Sequence, residues 1–125
     1  VEINPAANAV TDAAQSFTKA QRGSIVTLTD GATVTPDFSL GNNFTLTLGG
    51  NRTLANPTNL TAGQSGIILV LQDGTGSRTL SFGSYWKFPG GSAPTLTTSG
   101  SAVDLLAYFV ESSTRVSAIL SANMS

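Results

Sequence analysis

Two stretches, Ser24-Ile25-Val26-Thr27-Leu28-Thr29 and Asn43-Phe44-Thr45-Leu46-Thr47-Leu48, decide the fold class. In both, apolar residues alternate with threonine. A period of two puts a greasy face and a hydroxyl face on opposite sides of an extended strand. Outward from these runs, Asp30-Gly31, Gly49-Gly50-Asn51 and Asp73-Gly74-Thr75-Gly76 supply residues that tolerate positive φ, so they read as hairpin-type turns. The spacing of these turns is that of an antiparallel β fold.

The second half continues the pattern. Gly66 to Gln72 is apolar almost throughout and is expected to be buried on both faces; Arg78 to Phe82 follows after a short turn, so the two read as a hairpin. Ala102 to Val110 is long enough for a helix, but its β-branched and aromatic residues favour a strand. Glu111-Ser112-Ser113-Thr114 then reads as a turn into Arg115 to Ser121, giving two closing strands. Phe88-Pro89-Gly90-Gly91-Ser92-Ala93-Pro94 reads as a long surface loop. The Thr-rich strands share no fixed period, so a solenoid of regular repeats is not expected. The resulting expectation is an all-β chain: an antiparallel β-sandwich or jelly-roll-like single domain over residues 17–125, preceded by an N-terminal arm, residues 1–16. Ala6, Ala7, Ala9, Ala13 and Ala14 suit either a short helix after Pro5 or an exposed arm that packs on a neighbouring subunit. The chain opens on Val1 without an initiator Met, as a processed protein or a piece of a longer one does.

Composition narrows function more than any motif does. The 125 residues hold 6 Lys+Arg and 7 Asp+Glu, a net charge of -1, with no His and no Cys. The usual reagents of catalysis and metal capture are scarce, so the chain reads as a structural or binding module rather than an enzyme, without a cofactor or metal. A charge this small offers no basic stripe for nucleic acid. The longest apolar run, Ile67 to Leu71, is too short to insert in a membrane.

Few residues remain as candidates for chemistry. Asp30 and Asp73 suit turns better than acid/base work. Asp104, between Val103 and Leu105, either faces solvent or pairs with Arg115 or Arg78, because a buried charge is rarely left alone. Asp73 to Ser77 has oxygen donors, but it lacks the bidentate Glu of a calcium loop. Four Asn-x-Ser/Thr sequons, at Asn43, Asn51, Asn59 and Asn123, follow from a composition rich in Asn and Thr. The aromatic run Tyr85-Trp86-Lys87-Phe88 is the candidate ligand-binding site, since aromatic faces stack on sugar rings. Its plainer reading puts Trp86 and Phe88 on the core or interface side of a strand, with Tyr85 and Lys87 toward water.

Phe17-Thr18-Lys19-Ala20-Gln21-Arg22-Gly23, Leu48-Gly49-Gly50-Asn51-Arg52-Thr53-Leu54, Gln72-Asp73-Gly74-Thr75-Gly76-Ser77-Arg78-Thr79-Leu80, Gly83-Ser84-Tyr85-Trp86-Lys87-Phe88 and Val110-Glu111-Ser112 together carry a family likeness. From Phe17 onward the chain resembles the C-terminal β module of bacteriophage and prophage virion structural proteins, of fibre-like or decoration type. The resemblance implies a place on the virion surface, contacts with other virion proteins and a homotrimer. It carries over no active site; the alternative role, a receptor- or carbohydrate-binding tip for a host surface glycan, rests on Tyr85, Trp86, Lys87 and the Phe88 to Pro94 loop.

Overall fold

A computed structural model describes residues 12–125. Nine strands follow one another: β1 Ile25–Thr27, β2 Thr33–Val34, β3 Asn43–Leu48, β4 Arg52–Leu54, β5 Ser65–Gln72, β6 Leu80–Phe82, β7 Trp86–Lys87, β8 Val103–Ser112 and β9 Arg115–Ser121. Among the described residues the only helical element is the short 3-10 turn Pro89–Gly91. The strands form a six-stranded sheet in the order β1-β3-β5-β8-β9-β7 and a three-stranded sheet in the order β2-β4-β6.

This order follows from what the turns do. Asp30-Gly31 carries the chain from β1 to β2 in the other sheet. Gly49 to Asn51 does the same between β3 and β4, and Asp73 to Thr79 between β5 and β6. Three successive coils result, each giving one strand to each sheet. The strands stack in parallel as β1 on β3 on β5 and β2 on β4 on β6. β7 also runs parallel to β9, while β5–β8 and β8–β9 are antiparallel.

The all-β expectation holds, and the antiparallel arrangement is corrected to a mixed one. Gly66 to Gln72 and Arg78 to Phe82 are not a hairpin, because β5 and β6 belong to different sheets. The physical reason is that alternation fixes which face a side chain takes but not the direction of the neighbouring strand. Gly, Asn and Asp relieve backbone strain in an arc between sheets as well as in a hairpin. The coils are solenoid-like without a constant period: Ile25 faces Asn43, whereas Asn43 faces Ile67.

Inward alternation builds the core between the sheets. Phe44, Leu46 and Leu48 of β3, Ile68 and Val70 of β5, and Leu106, Tyr108 and Val110 of β8 face Val34, Leu54 and Leu80, all buried. Burial of each such side chain contributes about 1.5–3 kcal/mol relative to exposure. Phe38, from the loop between β2 and β3, stacks on Phe44 at 5.4 Å and Tyr108 at 4.6 Å and meets Trp86 edge-on at 6.3 Å. β8 and β9 close the domain as two strands, as their residue types indicate, with an irregularity between Val110 and Ser112.

Of the expected arm, residues 1–11 lie outside the described residues, and with them Ala6, Ala7 and Ala9. Asp12 to Ser24 is exposed at every position and forms neither helix nor strand.

Candidate functional site

The outward side of the six-stranded sheet follows from the same alternation that made the core. With Ile68, Val70, Leu106 and Tyr108 turned inward, Ile67, Leu69 and Leu71 of β5 and Val103, Leu105, Ala107 and Phe109 of β8 must turn outward. Register then places Leu69 beside Leu105, Leu71 beside Val103, and Ile67 beside Ala107, which in turn neighbours Ile119 of β9. Ile25 of β1, Phe109 and Ile119 are exposed large apolar residues. Among the described residues, Gly66 to Gln72 is therefore covered by a second layer on one face only, and its outer apolar residues are half-buried. No charged side chain lies among the outward residues of β3, of β5, or of β8 as far as Phe109.

Where this face meets β7 it deepens into a groove of about 520 Å³, lined among others by Lys87, Phe88, Pro89, Phe109, Arg115 and Ile119. Arg115 is paired with Glu111, whose carboxylate also accepts from Ser117 Oγ at 3.0 Å. The Ser117 hydrogen bond, then Arg115, hold Glu111 below the usual carboxylate range. Lys87 makes no ion pair among the described residues, so it is the unneutralised cation of the groove.

The four aromatic-run residues separate. Trp86 is 4 % exposed, its indole Nε1–H donates to Ala55 O at 3.0 Å, and it packs against Phe38 and Phe82. Tyr85 is half-buried, and its backbone N–H donates to Asn56 Oδ1 at 2.8 Å. Lys87 is exposed; Phe88 is half-buried against Phe82 at 4.6 Å. Lys87 and Phe88 reach the groove, while Tyr85 and Trp86 are not among its lining. The Phe88 to Pro94 loop is largely exposed, and Gly90 and Gly91 adopt φ of 68° and 74°, values that suit glycine.

The acids are engaged structurally. Asp73 accepts from Gly76 N–H and from both Nε and Nη2 of Arg78. Asp104 is 2 % exposed and takes neither Arg115 nor Arg78, which are held by Glu111 and Asp73. The expected pairing with a base is thus corrected: Asp104 accepts from the backbone N–H groups of Thr97 at 2.8 Å and Asn123 at 2.7 Å. No cluster of three or more metal-ligating acids occurs among the described residues.

The family model of the putative phage tail fibre C-terminal domain matches residues 34–111, well over half of the chain. The chain belongs to this family. The matched segment runs from β2 through most of β8, so it takes in the second and third coils and the outward apolar residues of β5 and β8. No curated protein and no solved structure matches the chain. A tail fibre domain is a virion component with a structural role. No helix among the described residues is long and apolar enough to cross a membrane.

The outward apolar stripe is the feature that a reading by residue type misses. Its signal is present in the unbroken run Ile67 to Leu71, where both alternating sets are apolar; the set left without a partner emerges only when the layers are known.

Proposed function

We propose that this tail fibre domain assembles as a homotrimer through the outer face of its six-stranded sheet and acts without enzymatic chemistry, by subunit and particle contacts. One observation carries the reading: an uncharged apolar surface across β5 and β8, from Leu71 and Val103 to Phe109, extended on β9 by Ile119. A monomer rarely leaves so broad an apolar surface in water, and subunit association removes it. Light scattering on the native chain is expected to give three times the protomer mass, and Leu69→Asp, which places a charge on the outer face without touching the core, to give a monomer of native fold. A monomeric native chain, or a trimer indifferent to Leu69→Asp, refutes the assembly.

A second reading, a receptor-binding role, is supported by the groove at Lys87. A sugar ring laid on Phe109 and Phe88, with an anionic or hydroxyl group toward Lys87, matches its apolar floor and its free cation. Isothermal titration with bacterial surface polysaccharide, repeated on Lys87→Ala and Phe109→Ala, tests this. Binding weakened by both substitutions supports it, and binding indifferent to both removes the groove as the receptor site.

A further inference from the structure

Among the described residues the first coil is the uncovered end of both sheets, because β1 has a neighbour only on its β3 side and β2 only on its β4 side. Leu28 N–H points toward β3, donating to Thr45 O at 2.8 Å. The carbonyls of Ala32 and Val34 point toward β4, accepting from Thr53 and Ala55. Successive residues of a strand present their backbone groups to opposite sides, so the amides of Thr27 and Thr33 point off the end of the stack. Neither β1 nor β2 carries the Lys, Pro or other charge that protects an exposed edge. Terminal units of a coil stack normally need a polar cap.

Between β1 and β2 this end opens into a hollow of about 390 Å³ whose apolar lining includes Val26, Leu28, Val34 and Leu40, with Asp30 and Asp37 also lining it. Leu40 is 63 % exposed. Asp30 is neutralised by Arg52, whereas Asp37 is bonded only by Asn59 and Ser39 and has no cation partner among the described residues. The hollow therefore offers an apolar floor and one uncompensated negative charge.

The exposed segment from Asp12 to Ser24, which continues the N-terminal arm up to β1, carries the complement. Phe17 is 60 % exposed, and Lys19 and Arg22 make no ion pair among the described residues. In the single protomer Phe17 and Leu40 are both exposed, so Phe17 does not fill the hollow of its own chain. We infer that the arm of one copy covers the first coil of a neighbouring copy, with Phe17 entering the hollow between β1 and β2 and the Lys19–Arg22 segment lying against Asp37. This inference rests on the oligomeric reading proposed above and adds to it a second, reciprocal contact at the open end of the coils.

Absence of cysteine makes the test direct. Phe17→Cys and Leu40→Cys are placed on two full-length chains of different tag length, mixed, allowed to assemble and oxidised, with Phe17→Cys plus Thr114→Cys as the control pair. Native mass is measured on the same samples before oxidation. Docking raises the effective concentration of the bonded pair, so the 17–40 product between chains is expected to exceed the 17–114 product by roughly tenfold or more. Adding Asp37→Lys to the Leu40→Cys chain is expected to reduce it. An assembled protein whose 17–40 and 17–114 products are equal overturns arm exchange and leaves the assembly standing. So does a bond found only within one chain that carries both Phe17→Cys and Leu40→Cys. A monomeric mass overturns the assembly itself, and arm exchange with it.

Discussion

Arg52 holds both carboxylate oxygens of Asp30, Nε to Oδ1 at 2.8 Å and Nη2 to Oδ2 at 2.9 Å, and so ties the arc of the first coil to the start of β4 in the second. The same carboxylate accepts from Gly49 N–H at 3.2 Å. One level further on, Asn51 Oδ1 accepts from Thr79 N–H at 3.0 Å and joins the second arc to the third. A hydroxyl contact between Thr53 and Ser81, 2.8 Å apart, repeats the pattern on the outer side of the small sheet. The arcs are thus held by polar side chains that reach along the stack, at the turns where backbone pairing between strands stops.

Acid is expected to loosen these arcs. Asp30 is held below the usual carboxylate range chiefly by its hydrogen bonds from Arg52, Asp37 by Asn59 and Ser39, and Asp73 by Arg78. A carboxylate with a depressed native pKa stabilises the fold above its unfolded value, about 3.9 for Asp, and that contribution is lost as pH falls through the native value. The Tm is therefore expected to be flat from pH 7 to 5 and to drop below pH 4. Arg52→Met is expected to lower the Tm at pH 7 and to shrink this acid-dependent drop. A mutant with an unchanged acid limb would remove Asp30 as a contributor.

Gly66 stands where a β carbon would lie 1.9 Å from Asn42 O, an oxygen that also accepts from Tyr108 Oη at 2.7 Å and from Ile67 N–H. Gly66→Ala forces backbone to move at the junction of β5 with the loop before β3. A loss of about 1–3 kcal/mol is expected in urea unfolding, the range of overpacked sites. Equal midpoints for mutant and native protein would refute the close approach.

Trp86 is the only tryptophan, so its fluorescence reports one site. Buried at 4 % exposure, it is expected to emit at short wavelength and to resist acrylamide until the protein unfolds. Trp86→Phe leaves Ala55 O without the indole donor. Loss of this part-buried hydrogen bond is expected to cost about 0.5–1.5 kcal/mol. Ready quenching in the native state would place Trp86 on the surface instead.

Asp104 fastens the C-terminal segment through Asn123 N–H and the approach to β8 through Thr97 N–H. Asp104→Asn replaces one acceptor with a donor facing a donor. Hydrogen exchange at the Asn123 and Thr97 amides is expected to quicken in this mutant before the core amides of β5 and β8 change. Unaltered protection at both amides would show that the carboxylate is not what holds them.

Particular residues show how far the sequence is legible. Phe44, Leu46 and Leu48 announced both a strand and its buried face, because a period of two is a local property. Arg115 to Ser121 announced the last strand with its observed bounds for the same reason. The aromatic run divided along the line its alternation suggested for Trp86 and Lys87, yet the groove that Lys87 and Phe88 enter is completed by Phe109 and Ile119 from strands distant in sequence.

By itself, then, the sequence determined the β class, the inward face of β3, the turn positions and the poverty of catalytic groups, because backbone geometry and side-chain chemistry act over a few residues. The tertiary structure alone decided that the turns are arcs between sheets, that the first three coils stack in parallel, that Asp104 is met by backbone amides, and that Leu69, Leu105 and Ile119 share an uncovered face. Each of these depends on which strand lies beside which, a choice made by the packing of the whole core around Phe38, Phe44 and Tyr108; alternation, the same for parallel and antiparallel neighbours, cannot make it.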